Sequence, residues 1–306
     1  MKYLDLGGSG LRVSAVALGC MRIASLTPAE LERHVHNALE LGVNFFDHAD
    51  IYGKGACEEA FGRLLAAEPG LRQRMVLQSK CGIRPGVCYD LSKEYLLEAA
   101  EASLRRLRTD HLDVLLLHRP DALMEPDEVA EAFRQLRAAG KVLHFGVSNF
   151  SAPQLRLLQR AVGEPLRVNQ LQFSLTHCSM VRQGVSANTL FDDALDRDGG
   201  VLDECRLAGT TIQAWSPLQF GMFGGVFLDH PDWPELNEAL ARLAAQYGVS
   251  KAAIAAAWVL RHPAGMQVIA GTASPLHLAE LCAGADLSLT RPEWYELYRA
   301  AGGRQP

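Results

Sequence analysis

Residues 113–147 read DVLLLHRPDALMEPDEVAEAFRQLRAAGKVLHFGV. The runs Asp113–His118 and Leu143–Val147 are short and largely apolar, as buried parallel strands are. Between them, Pro126–Ala139 carries apolar residues at helical spacing, and Gly140 suits a left-handed helix end. The stretch therefore predicts a β-strand, an α-helix and a second strand parallel to the first.

The same alternation extends along the chain in both directions. Eight strand-like runs are predicted in all, at Ala15–Leu18, Asn44–Asp47, Met75–Ser79, Asp113–His118, Leu143–Val147, Arg167–Leu171, Thr211–Trp215 and Met266–Ala270. Helical patterns lie at Pro28–Leu41, Cys57–Ala67, Ser92–Arg108, Pro126–Ala139, Pro153–Ala161, Val201–Ala208 and Pro275–Cys282. Eight such units without an obvious linker predict a closed (β/α)8 TIM barrel, a single α/β domain over residues 1–306.

Two features lie outside this alternation. Two short extended pieces around Gly7, Gly8 and Gly10 predict a β-hairpin at the N-terminus. Two long segments, Ser174–Gly200 and Leu218–Val249, interrupt the later units, and the second contains a helical pattern at Pro234–Tyr247. Loops of this length usually carry function, so we place them at the C-terminal mouth of the barrel.

The composition is that of an ordinary globular protein. Apolar residues make up 48% of the 306 residues and charged residues 21%, so the chain can bury a core without metal or disulfide support. Its 30 Lys and Arg residues and 35 Asp and Glu residues give a net charge of −5. Proteins that bind nucleic acids or membrane surfaces are usually basic, so we expect neither of these partners.

The cysteines and the N-terminal segment bear on the compartment. The seven cysteines, an odd and scattered set, predict free thiols in a reducing compartment; they are Cys20, Cys57, Cys81, Cys88, Cys178, Cys205 and Cys282. Arg12 and Ser14 interrupt the first apolar run, which argues against a signal peptide, and no run is long enough to predict a membrane span. We therefore expect a cytoplasmic protein. A closed barrel leaves no strand edge that would force association, so we expect a monomer.

Four polar side chains lie at or just after the ends of three successive predicted strands, and we call them the tetrad: Asp47, Tyr52, Lys80 and His118. In a barrel these strand ends meet at one mouth, where catalytic groups lie. Tyrosine has a reference pKa of about 10, and the charge of Lys80 would favour its phenolate. Asp47 would compensate a buried Lys80, and His118 could hydrogen-bond a substrate oxygen. The tetrad therefore suits protonation of a carbonyl oxygen while another group attacks the carbonyl carbon.

A metal-dependent hydrolase is an alternative interpretation of the same strand ends, since Asp47, His48 and Asp50 could be metal ligands. The first strand carries no His-x-His pair, however, and His34 and His36 lie two residues apart on a predicted helix, where they do not face each other. We therefore interpret His48 and Asp50 as loop residues and expect no metal.

The chain resembles the aldo-keto reductase family from the N-terminal hairpin to about residue 290. The resemblance is carried by Phe46-Asp47 through Tyr52-Gly53, Ser79-Lys80, Leu117-His118, Gly146 through Phe150, Asn169-Gln170, Trp215 through Leu218 and Ala257 through Arg261. Within the family the chain looks most like a little-characterised branch of bacterial oxidoreductases. The resemblance implies a TIM-barrel enzyme that reduces aldehydes or ketones with NAD(P)H.

The resemblance also implies a role for individual residues. Tyr52 would be the general acid, Lys80 would lower its pKa, Asp47 would pair with Lys80, and His118 would orient the carbonyl group. The remaining positions would bind the cofactor. Ser148, Asn149 and Gln170 would hold the nicotinamide carboxamide, and Phe173 would stack on the nicotinamide ring. The turn formed by Trp215, Ser216, Pro217 and Leu218 would cover the pyrophosphate, and Gly19, Met21 and Asp47 would line the base of the pocket.

The segment after the last strand departs from the family pattern. Gly271 stands where many members have lysine, and His277 stands where arginine is common. Glu280 keeps its place and would hydrogen-bond the adenine amino group. A histidine stabilises a bound phosphate less than an arginine does, because arginine donates two parallel hydrogen bonds. We therefore expect a weaker preference for NADPH over NADH than is usual. We still expect NADP, because the hydroxyls of Thr272 and Ser274 and a helix N-terminus remain.

Two further expectations concern the activity. Some members of the family act as cofactor-sensing regulatory subunits, so a cofactor-binding sensor with little turnover is the alternative function. The loops around the predicted pocket mix apolar and polar side chains, which indicates a small, moderately apolar carbonyl compound as substrate. They do not indicate which compound it is.

Overall fold

The computed structural model describes residues 1–222 and 224–306, and it begins with the predicted β-hairpin. Strand β1 (Tyr3–Asp5) pairs antiparallel with β2 (Arg12–Ser14), and the fully buried Leu6 between them joins an apolar cluster inside the barrel. Gly7 has a φ of 54°, and a Cβ there would lie 2.3 Å from the Arg167 carbonyl oxygen, so only glycine fits. The hairpin therefore closes one end of the barrel.

Eight parallel strands form the closed barrel, as predicted. They are β3 (Val16–Gly19), β4 (Phe45–Asp47), β5 (Val76–Cys81) and, after a small hairpin of β6 (Ile83–Arg84) and β7 (Cys88–Tyr89), β8 (Leu112–Leu117), β9 (Val142–Ser148), β10 (Val168–Gln172), β11 (Thr211–Trp215) and β12 (Gln267–Ala270). Strand β12 pairs with β3, with Ala270 opposite Leu18, and this pairing closes the barrel. The parallel arrangement brings all eight C-terminal strand ends to one mouth.

Helices follow or separate the strands. They are α1 (Pro28–Glu40), α2 (Ala56–Ala67), α3 (Lys93–Leu107), α4 (Pro126–Ala138), α5 (Ala152–Ala161), α6 (Ser179–Val185), α7 (Val201–Ala208), α8 (Pro234–Tyr247), α9 (Lys251–Leu260), α10 (Pro275–Gly284) and α11 (Arg291–Ala300). The start of α1 shows how local sequence sets these limits. Thr27 accepts a hydrogen bond from the Glu30 backbone, and the Glu30 side chain accepts one from the Thr27 backbone, so the two residues form a full capping box.

Three of the helices were not predicted from the periodicity. Helix α9 is buried on all sides, so it has no amphipathic pattern. Helix α6 is short and lies inside the predicted loop 174–200. Helix α11 follows the last barrel unit and packs against α8. The other predicted loop, 218–249, includes Phe223, which lies outside the described residues.

Within the described ranges, no single helix is long and apolar enough to cross a membrane. Helices α8 and α9, which meet at 93°, reach the required length and hydropathy only as a bent pair. All seven cysteines are free thiols, and Cys88 is exposed while the other six are buried.

Candidate functional site

The structure brings the tetrad together at the barrel mouth. Asp47 ends β4, Lys80 lies next to the end of β5, and His118 directly follows β8. The Lys80 ammonium lies 2.7 and 2.8 Å from the two carboxylate oxygens of Asp47 and donates a 3.1 Å hydrogen bond to the Tyr52 hydroxyl. The rings of Tyr52 and His118 meet edge-on, with centroids 6.0 Å apart.

The loop between β4 and α2 presents Tyr52 to Lys80. Two backbone hydrogen bonds hold this loop to β5, from His48 N to the Gln78 carbonyl and from Asp50 N to the Lys80 carbonyl. After Tyr52, the residues from 53 to 55 all have positive φ, which reverses the chain into α2. The loop is therefore fixed by the neighbouring strand, and the phenol hydroxyl is placed beside the ammonium.

Lys80 is fully buried and yet keeps its charge. Burial lowers the pKa of Lys80, but the Asp47 carboxylate and the Tyr52 hydroxyl outweigh burial, so its pKa lies above the ordinary value. The backbone carbonyl of His48 accepts a further hydrogen bond of 2.7 Å from the ammonium. A buried ammonium with three partners is fully satisfied and stays protonated.

The pKa of Tyr52 reflects two opposing effects, burial and the charge of Lys80. Burial raises it, and the adjacent charge of Lys80 lowers it without cancelling the effect of burial, so the pKa of Tyr52 stands above its ordinary value. The lowering effect of Lys80 is therefore present as predicted, and burial outweighs it. At neutral pH the phenol is therefore protonated, as a proton donor must be.

His118 is held neutral. Burial, followed by the charges of Lys80 and Arg119, keeps its pKa well below the ordinary value. Its Nδ1 is buried without a hydrogen-bond partner among residues 1–222 and 224–306. A neutral imidazole can donate one hydrogen bond and accept another, which suits contact with an uncharged carbonyl group.

A network of buried glutamines, which was not predicted from the sequence, supports Asp47. Gln78 donates a 2.6 Å hydrogen bond and Gln170 a 3.2 Å hydrogen bond to Oδ1 of Asp47. Both amides also donate to Gln213, at 2.8 and 2.9 Å, and Gln213 in turn donates to Gln267 at 2.8 Å. Gln78 and Lys80 are two residues apart on β5, so their side chains lie on the same face of the strand. Polar residues at this spacing inside an otherwise apolar strand are the sequence feature that could have predicted the network.

Of the residues predicted to hold the nicotinamide carboxamide, Ser148 and Asn149 lie at the C-terminal end of β9, and Gln170 lies within β10. Asn149, with a φ of 61°, donates a 2.8 Å hydrogen bond to the Ser148 hydroxyl, which donates to the Gln170 carbonyl. The indole of Trp215 donates a 3.1 Å hydrogen bond to the Asn149 amide oxygen. These side chains form one polar rim, and the amide nitrogen of Gln170 already faces inward to Asp47 and Gln213.

Phe173 does not take part in this rim, contrary to the prediction. Its ring is fully buried and stacks on Trp258, with centroids 5.4 Å apart, so neither face is open to a ligand. Phe173 follows β10, and its side chain points into the helix layer. The half-buried aromatic ring at the mouth belongs to Trp215, which lies 6.0 Å from the Arg119 guanidinium.

The remaining predicted cofactor positions lie around the mouth. Ser216 has a φ of 52°, Pro217 is buried, and Leu218 is half-buried and accepts a backbone hydrogen bond from Phe227. Gly19 is buried, and a Cβ there would lie 3.1 Å from the Gly271 backbone, whereas Met21 is 36% exposed.

The segment after β12 is tied down by local contacts. Thr272 accepts a hydrogen bond from Ser274 N, and Ser274 caps α10 by accepting one from His277 N. His277 is exposed and Glu280 is half-buried. The two hydroxyls predicted to meet a phosphate therefore lie at the N-terminus of α10, in a fixed geometry.

A cleft of about 300 Å³ opens beside the polar rim. It lies between the ends of β9 to β11 and the long loop that follows β10. Its polar lining includes Arg119, Asn149, Gln172, His177, Ser179 and Asp198.

His48 does not fit the alternative of a metal ligand. It is fully buried and packs edge-on against Phe61, with ring centroids 4.6 Å apart. Burial and the charge of Lys80 lower the pKa of His48 to about 3. The ring therefore acts as a neutral packing element behind the tetrad.

Comparison with known proteins gives a consistent result. A sequence profile described as the aldo/keto reductase family matches residues 15–300. The chain is 37% identical to a 6-dehydroglucose reductase of Novosphingobium aromaticivorans, over 99% of this chain and 96% of the relative. It is 35% identical to the oxidoreductase YdhF of Escherichia coli, over 99% of this chain and 98% of the relative.

Solved structures show the same fold. An aldo/keto reductase from Klebsiella pneumoniae, in complex with NADP and acetate, superimposes with a TM-score of 0.79 at 28% sequence identity. The match covers 100% of this chain and 97% of that one.

Proposed function

The chain belongs to the aldo/keto reductase family, and we propose that its tetrad is the catalytic centre of the family's reaction in this protein. The protein is an oxidoreductase that uses NADP and reduces the carbonyl groups of small molecules. The observation that carries the proposal is the hydrogen bond of 3.1 Å between Lys80 and Tyr52, with the Asp47 carboxylate 2.8 Å from the same ammonium.

The residues at the mouth fit a nicotinamide nucleotide. A carboxamide needs both donors and acceptors, and Ser148 and Asn149 offer a hydroxyl and an amide side by side at the end of β9. The half-buried indole of Trp215 offers an aromatic face beside them, and we propose it in place of Phe173. When bound, the cofactor supplies a hydride to the carbonyl carbon.

The chain's own residues manage the proton. Tyr52 donates its hydroxyl proton to the carbonyl oxygen as negative charge develops there. The phenolate that remains lies beside the Lys80 ammonium, which stabilises it, and Asp47 keeps that ammonium charged and in place. His118, held neutral, donates a hydrogen bond that orients the carbonyl oxygen. The glutamine network positions Asp47, and only the tetrad acts on the reacting atoms.

Removal of one hydroxyl tests this assignment. Tyr52→Phe should slow NADPH-dependent carbonyl reduction by about 10²- to 10⁴-fold, the scale of general acid catalysis. Binding of NADPH, followed by its fluorescence, should remain. The matched control is Tyr247→Phe, which removes a hydroxyl bonded to Glu293 on the helix layer and should leave the rate unchanged. Near-normal turnover in Tyr52→Phe would overturn the proposal.

The side chains that line the cleft indicate which class of carbonyl compound binds there. They present the Arg119 guanidinium, the Gln172 amide and the His177 imidazole beside the polar rim. We propose that a carbonyl compound bearing several hydroxyl groups binds there, in place of the moderately apolar substrate expected from sequence. The name of the Novosphingobium relative, a 6-dehydroglucose reductase, supports the same class.

A matched pair of substrates tests this class. Glyceraldehyde and propionaldehyde have the same number of carbon atoms and differ in their hydroxyl groups. The proposal requires a higher kcat/KM for glyceraldehyde, with the advantage reduced in Gln172→Leu. Equal efficiency with both aldehydes would contradict it.

We also propose that the protein folds as a single domain and acts as a cytoplasmic monomer without a nucleic-acid partner. The net charge of −5 and the seven free thiols support this view. Light scattering of the purified protein tests the monomer, and a dimer mass would contradict it. Should NADPH bind tightly while no carbonyl compound is reduced, the alternative of a cofactor sensor would apply.

A further inference from the structure

The region expected to meet the 2′-phosphate of NADP is poor in cations. Between Arg261 and Arg291 the chain contains no lysine and no arginine, and this interval includes β12 and α10. NADP differs from NAD by one phosphate group, and a protein that favours NADP commonly pairs that group with arginine. Around the N-terminus of α10, the groups of this interval that could contact a phosphate are the hydroxyls of Thr272 and Ser274, the exposed imidazole of His277 and backbone N–H groups.

A cation reaches this region from the opposite end of the sequence. Arg22 lies in the turn Cys20–Ser25 after β3, and β3 is the strand that pairs with β12 to close the barrel. The Arg22 guanidinium donates a hydrogen bond to the Gly271 carbonyl oxygen. A Cβ on Gly271 would lie 3.2 Å from Arg22 Nη1. The guanidinium therefore occupies the space beside Gly271 that a longer side chain would enter.

The guanidinium remains open to an anion. Arg22 is exposed, and within residues 1–222 and 224–306 no carboxylate forms an ion pair with it. One of its N–H groups is engaged with a neutral carbonyl, which leaves the other donors and the full charge for a ligand.

The backbone beneath the guanidinium is held from a second side. His34 on α1, with 1% of its surface exposed, lies with Nε2 3.0 Å from the Thr272 carbonyl oxygen. The carbonyls of Gly271 and Thr272 are thus both bound by side chains from the first barrel unit, which fixes the segment leading to the N-terminus of α10.

We propose that Arg22 binds the 2′-phosphate of NADP and so replaces, from the first loop of the barrel, the cation that the segment after β12 lacks. Charge and position both support this role. The hydroxyls of Thr272 and Ser274 and the α10 N-terminus lie on the same segment and would complete the phosphate contacts. The proposal rests on the cofactor placement given above and is independent of the role of Tyr52.

Binding measurements test it without turnover. The variant Arg22→Met keeps the length of the side chain and removes the charge, and Arg33→Met, at an exposed arginine on α1, is the matched control. We expect Arg22→Met to weaken NADPH binding by about 10- to 100-fold, the scale of a charge-assisted contact. NADH binding should change by less than about 3-fold, and Arg33→Met should change neither.

Smaller probes locate the contact on the cofactor. By calorimetry, adenosine 2′,5′-bisphosphate should lose affinity for Arg22→Met, and adenosine 5′-monophosphate should not. Equal losses for NADPH and NADH would place the guanidinium on the pyrophosphate and overturn the proposal, as would no loss for either. Since these assays need no catalysis, an active Tyr52→Phe enzyme would refute the catalytic assignment and leave this test intact.

A relocated cation gives a second criterion. In the double variant Arg22→Met, Gly271→Lys, the lysine would return a positive charge to the same place, and Gly271 has no positive φ that would strain a side chain. NADPH affinity should recover at least in part, while NADH affinity stays constant. Failure to recover in a double variant that melts like the wild type would contradict the electrostatic explanation.

Discussion

The side-chain amide of Gln78 donates a hydrogen bond of 2.6 Å to Asp47, the carboxylate that holds Lys80. The contact is buried, and Gln78 lies two residues before Lys80 on the same strand. Gln78 therefore fixes the carboxylate from below while Lys80 binds it from the mouth. A residue that touches no reacting atom thus positions the pair on which the acid depends.

Gln78→Leu should reduce the rate of carbonyl reduction by about 10-fold, because Asp47 loses a charge-assisted hydrogen bond of about 1.5–3 kcal/mol. The alkaline limb of the pH profile should also move, since Asp47 acts on Tyr52 through Lys80. Gln267→Leu is the control, as Gln267 belongs to the same network but makes no contact with Asp47. Equal kinetic losses in both variants would indicate a purely structural network.

The Lys80–Asp47 pair should show strong coupling in stability. Lys80→Met leaves the Asp47 carboxylate buried without its counter-ion, and such breakage costs about 3–5 kcal/mol. The double variant Lys80→Met, Asp47→Asn removes both charges and should recover much of the loss in urea unfolding, while remaining inactive. The single variant Asp47→Asn completes the comparison. If the stability losses of the two single variants add up to that of the double variant, the two charges are not coupled, which would contradict the buried ion pair.

Most of the barrel follows from local sequence. Short apolar runs such as Thr211–Trp215 and capping residues such as Thr27 determine their elements through nearest neighbours. The tetrad was predictable for a related reason, because parallel strands bring their ends to one mouth wherever they lie in the chain.

Other features depend on burial and on contacts far apart in sequence. The net pKa of Tyr52 could not be predicted, because it depends on how burial balances the charge of Lys80. The contact between Arg22 and Gly271 exists only once β12 pairs with β3. The direction of Phe173, just beyond the end of β10, follows from packing against Trp258 and not from the strand pattern.

Asp50 should make stability depend on pH. Burial and then the nearby Glu58 raise the pKa of Asp50 to about 7, and Arg106 opposes them only in part. Because the folded-state pKa is raised, the stability contribution of the protonated form is complete below about pH 4 and is lost as the pH rises to about 7. Asp50→Asn should therefore be more stable than wild type at pH 8, by on the order of 1–3 kcal/mol.

The difference between Asp50→Asn and wild type should shrink toward zero at pH 4, as followed by urea unfolding across this range. Asp203→Asn, at an exposed carboxylate on α7, should show no such trend. A constant difference at all pH values would mean that Asp50 does not titrate in the folded protein.

Substitution by leucine should affect cofactor binding at Trp215 and stability at Phe173. Trp215→Leu removes the half-buried ring beside Asn149 and should weaken NADPH binding by about 10-fold, the scale of one base-stacking contact. Phe173→Leu removes part of a fully buried ring stacked on Trp258 and should lower the free energy of unfolding by about 1–3 kcal/mol while NADPH binding is retained. Fluorescence titration and urea unfolding of both variants measure the two effects. If Phe173→Leu loses cofactor affinity and Trp215→Leu does not, Phe173 is the residue that contacts the nicotinamide. The end of β10 would then have to open when the cofactor binds.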